Sequence, residues 1–556
     1  MLRPSRHTDT FTRSHLPPVE LWPELVFRLP ALAYPDEMNC AEALLERAVA
    51  KRGPAAVAIL AGDQVWSYAD LIDATDRIAR VLVEDFGLEA GGRVLLRGGN
   101  TPELFAAWLG VIKVGGVAVS TMPMLRSAEL AGIVGKSRPV LALCHQDLID
   151  ELVAGAPDLR LVAFGEPGAE LERRASTKSG SFRARRASQD DVCLIAFTSG
   201  TTGEPKAAAH FHRDVLSMCH TYGAHVLADG EAPVFSGTPP IAFTFGLGGL
   251  LVFPLFFGAP VVLPEPGGAT RLADAIAAHQ VTHLFTSPTG YRQLLAAAAP
   301  GQLASLRACV SAGEHLSAAT WNAWREATGL PLLDGLGATE MMHIFLSATA
   351  RDAQPGCCGR PVPGFEIALL GDDGREIPGP GEGRLAVRGP VGCRYLADAR
   401  QREYVQRGWN VTGDIFRRDA EGRYWYVARA DDMIISSGYN IAGPEVEAAI
   451  ATHPDVTECA VVGTPDAERG QIATAYVVLG PGATPGPAMA RALQDHVKRA
   501  LAPYKYPRSV RFVAALPRTA TGKVSRRALR EAPPEAAGGP PADSRSADAK
   551  RRRRSC

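Results

Sequence analysis

The stretch RVLLRGGNTPELFAAWLGVIKVGGVAVS, residues 93–120, decides the fold class. Residues 93–97 form a short apolar run of strand type. Residues 101–114 then carry apolar side chains at helical spacing, with Pro102 near the first turn where its missing N–H costs nothing, and residues 116–120 return as a strand. Strand, helix and strand in this order make a βαβ unit, whose crossover helix brings the second strand alongside the first in parallel. The alternation recurs at residues 140–144, 146–154 and 159–164, and again where the helix 271–279 precedes the strand 281–285. An α/β fold of layered parallel sheets is expected, with ligands beyond the carboxyl ends of the strands.

At 556 residues the chain is too long for one core and should divide into domains. Lys plus Arg equals Asp plus Glu, 59 each, so no global field favours nucleic acid or an acidic membrane, and the expected partner is a small molecule. Residues 1–18 are polar and lack the apolar region of a secretory signal, and no run reaches the length of a membrane span, so a cytoplasmic protein is expected. The ten cysteines show no metal-type spacing and read as small buried apolar residues.

Residues 166–188 lack apolar periodicity and read as a surface loop, whereas residues 371–383 are a turn-rich part of a β-region spanning about 356–427. Past Arg429 a second domain begins: Gly443-Pro444-Glu445 opens a helix with Glu447 following and Val446, Ala449 and Ile450 as its apolar stripe. The resulting division is an extension over 1–34, a large domain over 35–429, a small mobile α+β domain over 430–530, and a tail over 531–556 too poor in large apolar side chains to order itself.

The chemistry is most visible in Thr198-Ser199-Gly200-Thr201-Thr202-Gly203-Glu204-Pro205-Lys206, directly after an apolar strand. Glycines let the backbone turn its N–H groups inward, hydroxyls add donors, and Lys206 adds a positive point charge, which together suit a polyphosphate. The spacing is not that of the P-loop.

With Gly337-Ala338-Thr339-Glu340, Thr412-Gly413-Asp414, Arg429-Ala430-Asp431-Asp432 and Pro517-Arg518-Thr519-Ala520-Thr521-Gly522-Lys523, this loop resembles, in order, the motifs of the adenylate-forming enzymes: the acyl- and aryl-CoA synthetases, adenylation domains and luciferases. The resemblance spans about residues 35–530. It implies ATP, Mg²⁺ and coenzyme A as co-substrates and cofactor. It also implies that Thr339 and Glu340 serve the phosphate and Mg²⁺, and that Asp414 and Arg429 serve the ribose. Gly313, Glu314, Asp334, Gly335, Leu336, Gly337 and Ala338 would lie on the adenine side, and Lys523 would be the mobile catalytic lysine. The hinge falls on Asp431, with Ser437, Gly438 and Tyr439 flanking the CoA channel; where relatives usually have Gly before the Arg, this chain has Ala428.

Thr244, Phe245, Ala312, Gly337, His343 and Ile344 would form the acyl pocket, a mostly apolar wall that favours an aromatic or small apolar acid over an amino acid. The strings around Met341-Met342-His343 and Phe243-Thr244-Phe245-Gly246 look most like benzoate and 2-aminobenzoate CoA ligases, the latter more closely. His343 has two readings here: a partner for an ortho substituent, or a packing residue beside the pocket. The implied function is an AMP-forming aryl-CoA ligase that acts on 2-aminobenzoate or benzoate, with self-association allowed but not required. The alternatives are an enzyme that loads a carrier protein and a non-catalytic nucleotide-binding relative.

Overall fold

A computed structural model describes residues 2–198, 205–228, 232–436, 439–466, 469–501, 503–519 and 522–531. The chain divides into two units, Met1–Asp431 and Asp432–Cys556.

In the first unit the residues 93–120 do form a βαβ: strands Arg93–Arg97 and Val117–Thr121 pair in parallel around the helix Pro102–Lys113. Thr101 caps that helix, its Oγ1 accepting the Leu104 N–H at 3.3 Å, and Pro102 occupies the first turn. Almost every side chain of the helix is buried, Trp108 included, so it is a core helix and not a surface one. Its sheet has six strands in the order Leu161–Phe164, Leu141–His145, Arg93–Arg97, Val117–Thr121, Val192–Thr198, Lys206–Phe211; the last is antiparallel to its neighbour.

A second sheet has a run of parallel strands, including His283–Thr286, Ala308–Ser311 and Leu332–Gly337. It continues as antiparallel ones from Ile344–Ser347 to Glu366–Leu370. The β-region expected from turn density is this antiparallel continuation.

One local expectation fails. Residues 166–188 contain a helix, Glu170–Ser176, held by an Arg174–Glu170 pair at 2.8 Å, by Arg174 against Asp85 at 3.3 Å and by the buried Leu171. A single apolar anchor in so short a helix leaves no periodicity to detect.

The second unit carries a sheet in the order Tyr439–Ile441, Ile434–Ser436, Gly470–Leu479, Val456–Asp466, with Ser509–Phe512 added in parallel to Gly470–Leu479. The helix Gly443–Ile450 buries the stripe Val446, Ala449 and Ile450 against Val461, Ala475 and Leu493. Most of the tail, from 532 onward, lies outside the described residues.

Candidate active site

The strands Val192–Thr198 and Lys206–Phe211 set Thr198 opposite Lys206. Ser199, Gly200, Thr201, Thr202 and Gly203, with Glu204, lie outside the described residues. Side chains alternate along a strand, so Lys206, Ala208 and His210 share one face. Tyr395 forms an antiparallel bridge with Ala208, flanked by Ala209 N–H to Arg394 O and Leu396 N–H to Ala207 O, both 2.9 Å. Cross-strand partners share a face. Tyr395 thus stands between the lysine and the histidine.

From this face two contacts reach the Thr339–Met341 turn, which holds the nearly buried Glu340. The Tyr395 hydroxyl donates to Glu340 Oε1. His210 Nε2 lies 2.8 Å from the Thr339 carbonyl oxygen, which can only accept, so that nitrogen carries the proton. Burial first, then the Glu340 charge, pushes the Tyr395 hydroxyl far above its ordinary value, so it remains a donor. Lys206 Nζ lies 5.3 Å from the Tyr395 ring centroid. Behind them Asp214 is fully buried; burial alone would raise its carboxyl, but Arg394 at 2.7 Å and His210 hold it well below the usual range.

The strand Leu332–Gly337 leads into the same turn and pairs antiparallel with Ile344–Ser347, with a register shift between Leu336 and Gly337. A Cβ at Gly337 would stand 2.9 Å from the His343 carbonyl oxygen, so the close approach needs glycine. Met342 takes φ 67°, the left-handed region that ordinary side chains avoid, and this redirects the chain to present His343. Asp334 turns its carboxylate inward, where it accepts the Cys358 S–H at 3.1 Å. Burial pushes it up to about 7.

His343 is buried in an aromatic cage, with ring centroids of Tyr222 at 5.1 Å, Phe245 at 5.9 Å and Phe253 at 4.8 Å. Among the described residues no hydrogen bond of normal geometry reaches either ring nitrogen. Burial lowers its pKa to about 3, against an opposing pull from the Phe245 backbone, so the ring is neutral. Thr244 and Phe245 open the helical turn Thr244–Leu247 beside it, and Ala312 and Ile344 are buried.

Gly313, with φ 90°, and Glu314 follow the strand Ala308–Ser311, and Glu314 Oε2 accepts the Thr289 hydroxyl at 2.8 Å. Asp414 and Arg429 are cross-strand partners joined at 3.1 Å, with Arg429 the more exposed of the two. Asp431 lies in the turn Ala430–Asp432. In the second unit Ser437 and Gly438 lie outside the described residues, and Tyr439 starts the strand Tyr439–Ile441. Lys523 is exposed on a tight turn closed by Thr519 N–H to Lys523 O at 2.7 Å and by the Arg518–Val524 bridge, with Gly522 at φ 82°.

Oxygen donors at Thr339 and Glu340 fit a hard cation such as Mg²⁺. A different grouping, Cys40, Cys193 and His212, has soft donors and is fully buried. There His212 Nδ1 accepts the Cys40 N–H at 3.2 Å, so its lone pair serves the helix start. Linear spacing gives no sign of that grouping, nor of Tyr395 and Tyr222. His210 alone had a detectable signal, its strand period of two from Lys206.

Layered parallel sheets and a small second α+β unit define an adenylate-forming architecture. The AMP-binding enzyme family matches residues 45–395 and its C-terminal domain matches residues 445–523, so the chain belongs to that family. It is 36% identical to the benzoate–CoA ligase of Thauera aromatica, over 90% of this chain and 98% of that protein. Among solved structures it resembles the anthranilate CoA ligase AuaEII in complex with anthranoyl-AMP, with a TM-score of 0.84 and 33% identity over 90% of this chain and 98% of that one. A benzoate CoA ligase from Burkholderia xenovorans LB400 gives 0.81 and 30%, over 89% of this chain and 100% of that one.

Proposed function

We propose that the protein is an ATP-dependent ligase that joins an aromatic carboxylate, 2-aminobenzoate or benzoate, to coenzyme A. A carboxylate oxygen attacks the α-phosphorus of ATP, the bond to the bridging oxygen breaks and pyrophosphate leaves. The CoA sulfur then attacks the acyl carbonyl and AMP departs. Both reactants of the first step are anionic, so its barrier is largely electrostatic and calls for preorganised cations. In this reading Lys206 and the 198–203 loop bind the phosphates, Thr339 and Glu340 hold Mg²⁺, and Asp414 with Arg429 holds the ribose. Mg²⁺, when bound, neutralises phosphate charge. Lys523 serves adenylation, Asp431 is the hinge, and Ser437, Gly438 and Tyr439 flank the thiol's path.

The observation that carries the choice of acid is the aromatic cage around His343, whose neutral ring turns one nitrogen to the Phe245 backbone and keeps a lone pair on the other in an apolar wall. That suits a flat ring bearing one ortho donor. The first test is CoA-dependent AMP release with ATP and Mg²⁺ across benzoate, 2-aminobenzoate, hydroxybenzoates and short fatty acids, with mass spectrometry of the thioester. Preference for 2-aminobenzoate is expected. Pyrophosphate exchange without an acyl-CoA product would point to a carrier-protein acceptor, and no turnover with any aromatic acid would overturn the reading.

A further inference from the structure

We propose that Tyr395 is a positioning residue for Glu340, holding its carboxylate through a neutral hydrogen bond to Oε1 so that the other oxygen meets the divalent cation of the bound nucleotide. The proposal rests on the assignment of Glu340 as the cation ligand. A glutamate side chain has freely rotating bonds, and fixing it when the cation arrives would cost rotamer entropy. Here the buried tyrosine has already fixed it.

The donor's neutrality is the second point. Lys206 leaves the same strand face, and an ammonium paired directly with Glu340 would compete with the cation for the carboxylate. The lysine lies instead over the Tyr395 ring, 5.3 Å from its centroid, where the ring's negative face attracts it. One side chain therefore holds the acid by its hydroxyl and the base by its ring, and keeps the two charges apart.

Third, Tyr395 is itself anchored independently of any ligand. It bridges Ala208, its N–H donates to Gln401 Oε1 at 2.9 Å, and Tyr404 packs edge-on at 5.8 Å. A side chain locked this way can orient another to the tolerance that metal ligation demands.

The test is Tyr395→Phe in the full chain, which keeps the ring and loses only the donor. ATP affinity is measured by calorimetry with and without Mg²⁺. Metal-free affinity should stay within about twofold of wild type, while the gain in affinity on adding Mg²⁺ should shrink about tenfold, the size of one charge-assisted hydrogen bond. In a Glu340→Gln background the Tyr395→Phe change should remove nothing further. An undiminished Mg²⁺-dependent gain, a loss in metal-free affinity of equal size, or additive effects of the two substitutions would each overturn the proposal. So would a wild type whose ATP affinity ignores Mg²⁺. Should Tyr395→Phe fail to fold, 4-fluorophenylalanine at position 395 fills the hydroxyl's volume without a donor and takes its place. The titration needs no turnover, so a wild type that binds Mg-ATP but makes no acyl-CoA would fail the ligase reading while leaving this one decided by calorimetry.

Discussion

Two buried side chains beside the site have opposite consequences. His343 is neutral, with the Phe245 backbone as the polar group it meets and no hydrogen bond of normal geometry among the described residues, a state that costs desolvation unless a ligand offsets it. Replacing it by Ala should lower selectivity for 2-aminobenzoate over benzoate about tenfold, the worth of one hydrogen bond; unchanged kcat/KM ratios for the two acids would leave it a packing residue. Asp334 has a folded pKa near 7, raised by burial from an ordinary 3.8, so folding holds its proton more tightly than the unfolded chain does. Its stabilising contribution is present below about pH 4 and is lost as the pH rises towards 7, a change on the order of 4 kcal/mol. Asp334→Asn should therefore match wild type in unfolding midpoint near pH 4 and exceed it at pH 8; a pH-independent difference between the two proteins would show that the carboxyl is ionised in the fold. Sequence brought Asp334 to notice as part of a nucleotide motif. It gave no hint that the carboxylate faces Cys358, because inward or outward orientation depends on strands that pair only after folding.

At the level of elements, the wall around His343, proposed above as the acyl pocket, depends on a glycine-rich helical run meeting the turn that presents the histidine. A Cβ on Gly248 would lie 2.5 Å from His343 Cδ2 and 3.1 Å from Phe253 Cε2, so two packed rings would have to shift to admit it. Gly248→Ala should raise KM for the aryl acid at least tenfold and cost about 1–3 kcal/mol in stability, the range for overfilling a packed core. Near-wild-type kinetics together with an unchanged denaturation midpoint would mean that the ring moves freely. The elements around the candidate site were largely legible: the βαβ at 93–120, the strand ending at Thr198 and the helix at Gly443 stand close to where apolar period and Pro/Gly punctuation put them. What escaped was the short helix at Glu170–Ser176, held mainly by ion pairs, and the bridge of Tyr395 to Ala208. That bridge joins residues far apart in sequence without lengthening any strand, so no local pattern marks it.

Across the whole molecule the chain divides at Asp431, close to the change of texture after Arg429. The second unit opens with its own helix signal in the sequence and buries its own apolar stripe. Sequence alone could not say which elements of the first unit would join one sheet, since strand order is a long-range property. The division has a kinetic consequence. Lys523 sits on an exposed turn of the second unit, whereas Lys206, Glu340 and Asp414 belong to the first. If Lys523 neutralises charge only while the carboxylate meets the α-phosphate, its loss should be confined to that half-reaction. Lys523→Ala should lower pyrophosphate exchange by about two orders of magnitude or more, while thioester formation from a supplied acyl adenylate stays within a few-fold of wild type. The unfolding midpoint should hardly move, because the side chain is exposed. Equal loss in both half-reactions would mean that the lysine supports the second unit as a whole and takes no separate part in adenylation.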